Sequence, residues 1–97
     1  MSFTIRLEAI VAFYLVERYV PSMPAADIHA AIKRINVPQA QARHLWTILI
    51  RAEDTCLSVF EASDVEAVVQ ATARAGFPFD RVVEVTPVVG SPVESTP

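Results

Sequence analysis

The run from Ala12 to Val20 (AFYLVERYV) constrains this chain more than any other feature. Its β-branched and aromatic residues favour an extended backbone. Both alternating sets of positions are apolar: Phe13, Leu15 and Tyr19 on one, Tyr14, Val16 and Val20 on the other. A strand of that kind is central in its sheet and needs cover on both faces. Pro21-Ser-Met-Pro24 stops it, and Pro24 suits the first turn of a helix, where its missing N–H costs nothing.

The next periodicity is helical. Ile28, Ala31, Ile32 and Ile35 form one apolar stripe, with Asp27 early and Lys33 and Arg34 late, as the helix dipole favours. Pro38 ends it, and Gln39 to Arg43 reads as loop. His44 to Arg51 and Cys56 to Ala62 read as two strands of a hairpin around an Ala52–Thr55 turn. Ser63-Asp-Val-Glu66 has the form of a capping box opening a second helix. Val65, Val68, Val69, Thr72 and Gly76 then fall at helical spacing, with Gly76 suited to a left-handed C-terminal position and Pro78 forbidding continuation. Arg81 to Val88 reads as the last strand.

The order β-α-β-β-α-β predicts an α+β, ferredoxin-like fold: a four-stranded antiparallel sheet with two helices on one face. This domain is expected over 12–89. Residues 1–11, where Phe3, Ile5, Leu7 and Ala9 alternate with polar residues, are expected to form an extra edge strand or an upstream arm. Residues 90–97 lack a periodic apolar pattern and are expected to be a mobile tail.

Ninety-seven residues suit one domain. A chain this short buries only about 60–65% of its unfolded surface. Yet 53% of the residues are hydrophobic, and the mean hydropathy is +0.37. The helix-free sheet face is therefore expected to meet a second copy of the chain. The net charge is −3 and the eight basic residues form no run, which argues against nucleic acid and anionic membrane as partners. No G-x-G-x-x-G or P-loop pattern occurs. Cys56 is the only cysteine, which fits a reducing cytoplasm. The apolar run Ile10–Val16 is bracketed by Glu8 and Glu17 and reads as strand rather than export signal.

Three stretches carry a resemblance: Cys56–Ala62, Ser63–Ala67, and the A-G-F-P-F-D-R-V-V-E-V block from Ala75 to Val85. With the opening Phe13–Arg18, they resemble a family of small bacterial ferredoxin-like proteins of mostly unknown function, some of them identified as nickel-binding. The resemblance implies a homodimer and a divalent metal site. Members of that family often carry a histidine in the second helix before the Gly-Phe-Pro, and Gln70–Ala75 here has none.

His29 and His44 are the two imidazoles, and Glu17 and Glu61 fall on neighbouring central strands. Nickel favours imidazole and carboxylate donors, which makes these four the candidate metal ligands. No H-x₃-H, H-E-x-x-H or C-x-x-C spacing reinforces them. The plainer reading pairs the glutamates with Arg18, Arg51 or Arg81. Cys56 reads as a small core residue. Phe13, Tyr14, Trp46 and Phe60 are candidate pocket residues, although aromatics in strands more commonly fill cores. Two function classes follow: a non-catalytic binding protein for a divalent metal or small ligand, and a cofactor-free enzyme of the dimeric α+β barrel type (isomerase, cyclase or monooxygenase). A structural dimerisation module is a third.

Overall fold

A computed structural model describes residues 11–90 of the chain. The elements are β1 (Ala12–Tyr19), α1 (Ala25–Ile35), β2 (Ala42–Ile50), a 3-10 turn (Arg51–Glu53), β3 (Thr55–Ala62), α2 (Val65–Arg74) and β4 (Arg81–Val85). The strands form one antiparallel sheet in the order β2-β3-β1-β4. This is the expected ferredoxin-like arrangement, with β1 central. The edge strand expected over Phe3–Ala9 and most of the expected tail lie outside the described residues.

Strand alternation divides the side chains between two faces. Tyr14 and Val16 of β1 and Cys56 and Phe60 of β3 share one face, where Ile28, Ala31, Ile32 and Ile35 of α1 and Val68 and Ala71 of α2 cover them in a single core. The α1 stripe is buried as its spacing predicts. The other face carries Phe13, Leu15, Leu57, Val59, Val83 and Val85, and no helix among the described residues packs against it.

Several local expectations need correction. Pro24 is the N-cap of α1, just before the first helical residue, with an extended backbone (ψ 150°). The N-cap of α2 is Asp64, whose Oδ1 accepts the Ala67 N–H at 2.9 Å. Ser63 therefore forms no capping box, and the Glu66 carboxylate accepts from Gln70 Nε2 instead. Aspartate caps as well as serine does, so the motif alone leaves a one-residue ambiguity.

The second strand starts at Ala42, inside the expected loop, and Arg51 belongs to the 3-10 turn that follows. A bulge between His44 and Trp46 adds Leu45 to β2. Such an insertion leaves no periodic trace in a short run. The last strand ends at Val85, short of the expected Val88. Pro87 has no N–H to give a ladder.

The C-terminal end of α2 matches expectation. Gly76 has φ +71°, its N–H reaches Ala73 O, and the Phe77 N–H reaches Thr72 O. This is a Schellman closure, and it buries the Phe77 ring against the core. That turn fixes the ceiling over the end of β1.

Candidate functional site

Helix α1 crosses beside β2, and the groove between them forms a cleft of about 350 Å³. Ile28, Ile32 and Leu49 make its walls apolar, and His29, His44 and Thr47 bring polar groups to it. The two candidate imidazoles thus meet at one place, although they come from different elements.

His44 is well anchored there. Its Nε2 lies 2.7 Å from Thr47 Oγ1, which lies 2.7 Å from the buried Ser58 Oγ. Its ring packs edge-on against Phe60, with centroids 5.4 Å apart. Its backbone N–H donates to Asn36 Oδ1 at 3.2 Å. The bulge next to His44 keeps Thr47 on the helix-covered face, opposite Ser58.

Glu17 and Glu61 do not join the histidines. Both lie on the open face of the sheet, since Glu61 is opposite Phe13 and Glu17 opposite Leu57. Each is held by an arginine on the neighbouring strand. Arg81 donates to Glu17 Oε1 at 2.9 Å, and Arg43 approaches Glu61 Oε1 to 2.9 Å. The Glu17–Arg81 pair is one of those expected. Arg43 was hidden by its placement in a loop. The four candidate ligands are therefore split by the sheet: odd-numbered β1 and β3 positions face away from the helices. Among the described residues, no group of three or more His, Cys, Asp or Glu side chains is placed to hold a metal ion.

The aromatic candidates divide the same way. Tyr14 and Phe60 are core residues beneath the helices. Phe13 and Trp46 line a cleft of about 360 Å³ on the open face, with Val59, Val85 and the segment after β4.

Arg18, expected as a partner for a glutamate, pairs with neither Glu17 nor Glu61 and takes a buried place of its own. It stands on the helix-covered face of β1 with 1% of its surface exposed. Its Nε donates to Pro78 O at 3.1 Å and points to Phe77 O at 3.4 Å. The Phe77 ring stacks on the guanidinium at 4.1 Å. Nη1 and Nη2 are buried without a hydrogen-bond partner. Burial lowers the arginine to a pKa of about 10, against smaller opposing effects of Cys56 and Asp80. Cys56, directly across on β3, is fully buried, and burial pushes its thiol up. The sequence signal for Arg18 was a charge between Val16 and Val20, on the set of positions that a helix covers.

Fold and site together define a small ferredoxin-like α+β domain with one open sheet face and a histidine-bearing cleft. The profile described as nickel responsive protein SCO4226-like matches residues 14–85, and the chain belongs to that family. The crystal structure of SCO4226 from Streptomyces coelicolor A3(2) is similar in fold, at 18% identity and a TM-score of 0.73. The match covers 80% of this chain and 100% of that one. No curated protein matches the chain.

Proposed function

We propose that this chain is a homodimeric binding protein of the nickel responsive family, working in the cytoplasm, with the open sheet face as the seam between two copies. The observation that carries this reading is the layout of that face. Half-buried Phe13, Leu15, Leu57, Val83 and Val85 surround Val59, already buried within the chain, and Trp46 and Ile48 extend the face at the β2 edge, 38% and 49% exposed. The charges sit at opposite ends as matched pairs, Glu17 with Arg81 and Glu61 with Arg43. An apolar centre with a neutralised polar rim is how protein interfaces are built.

Nickel enters this reading through His29 and His44 alone. The described residues do not fit a closed nickel site, because the carboxylates lie on the far face and His44 Nε2 is already engaged by Thr47. Two imidazoles are an incomplete donor set. Weak binding at the α1–β2 cleft is the expected result. The enzymatic alternative gains no support from the site.

Light scattering of untagged protein at low micromolar concentration tests the seam. Twice the 10.7 kDa chain mass is expected, and a monomer mass would overturn the proposal. Nickel titration of the wild type and a His29→Ala/His44→Ala variant tests the metal contact. Weak binding lost in the variant is expected. Equal, tight binding by both would remove the histidines from it.

A further inference from the structure

We propose that Arg18 is the receptor for a small monocarboxylate with an apolar body, admitted through the cavity between the β1–α1 and α2–β4 loops. The guanidinium is buried with Nη1 and Nη2 both unpartnered. Native structures rarely leave such groups unsatisfied, and a bound ion or water is a usual explanation. Its nearest counter-charge is Asp80, which favours the cation without contacting it. No carboxylate among the described residues forms an ion pair with it, and Asp80 is turned instead to the Tyr19 N–H, at 2.6 Å. A buried, unpaired cation is costly, and an incoming anion relieves that cost.

The Nη edge of a guanidinium matches a carboxylate in plane and spacing, giving two parallel charge-assisted hydrogen bonds. An open hollow of about 460 Å³ lies over this end of the sheet, and Arg18 lies beneath its floor rather than in its lining. Phe77 belongs to both places: its ring covers the guanidinium, and it also lines the cavity. Pro78 likewise lines the cavity while its carbonyl holds Arg18 Nε. The Phe77 ring, packed in the core, stands between hollow and guanidinium, so the proposal requires it to move aside as the ligand enters.

The cavity chooses the ligand class. Val20, Met23 and Pro24 offer apolar contact to a hydrocarbon body. Asp27 at the same cavity and the net charge of −3 oppose polyanions such as phosphate. One guanidinium suits one negative charge. This inference does not depend on the dimer or on nickel.

The test follows the side-chain guanidinium signals of Arg18 by NMR in the full-length wild-type protein. Hexanoate is titrated, with hexan-1-ol as the neutral control and inorganic phosphate as the polyanion. A saturable shift with hexanoate alone is expected. In Arg18→Met, which keeps the length and apolar contact of the side chain, hexanoate affinity should fall roughly tenfold or more, the usual effect of losing a charged hydrogen-bond partner. Unshifted guanidinium signals at saturating hexanoate would overturn the proposal. So would an equal response to hexan-1-ol, or unchanged affinity in a folded Arg18→Met variant. A phosphate response equal to that of hexanoate would overturn the monocarboxylate assignment. If Arg18→Met does not fold, the wild-type titrations decide alone.

Discussion

Replacing Ile48 by aspartate separates the seam from the fold. Ile48 lies on the open face of β2, opposite Leu57, and is 49% exposed in the single chain. Its remaining exposed half is what a partner would cover. Losing that burial costs about 1 kcal/mol per copy, half of a typical isoleucine value. Burying an unpaired carboxylate in the seam adds at least ~2 kcal/mol per copy. Two-fold symmetry counts both terms twice, giving about 6 kcal/mol per dimer. At about 1.4 kcal/mol per decade, the dissociation constant rises by roughly four orders of magnitude. Within one chain the change is mild, about 1 kcal/mol or less, because the site is open to water and lies on an edge strand. Light scattering should therefore show a monomer at low micromolar concentration, while thermal unfolding stays cooperative. A folded Ile48→Asp protein that keeps a dimer mass would refute the reasoning and move the seam elsewhere.

Asp64→Ala should cost about 1 kcal/mol through loss of the α2 cap, lowering the melting temperature by roughly 4–8 °C, whereas Ser63→Ala should change it within error. The opposite ranking would mean that α2 starts one residue earlier. Burial pushes the Cys56 thiol above its ordinary value of 9.0, so its contribution to stability is complete below that value. It is lost as pH rises from there through the raised folded value. Denaturant unfolding followed from about pH 8 to about pH 10.5 should show an alkaline loss of stability that is smaller in Cys56→Ala, and parallel curves would remove Cys56 as its source.

The sequence by itself determined the order of elements and the two-sided demand of β1. Periodicity is a local property, and the stripe of Ile28, Ala31, Ile32 and Ile35 is buried as its spacing requires. Gly76 is likewise where a left-handed backbone was needed, with φ +71°. Caps and strand ends were less legible, because adjacent Ser63 and Asp64 are equivalent cap chemistry and a bulge leaves no periodic mark.

The tertiary structure decided which residues share a site. Glu17 and His44 are on opposite faces because strand parity, read through the register of β2 on β3 and β3 on β1, sends their side chains apart. That register depends on Leu45, the extra residue in β2. His29 and His44 meet because a crossover helix returns beside the edge strand that follows it, which no sequence spacing encodes. Arg18 stood in plain view as a charge in an apolar run. Only the α2–β4 turn, closing over the end of β1, leaves it buried with its Nε–H used and Nη1 and Nη2 open. Long-range register and loop closure set those distances, and they are properties of the folded chain as a whole.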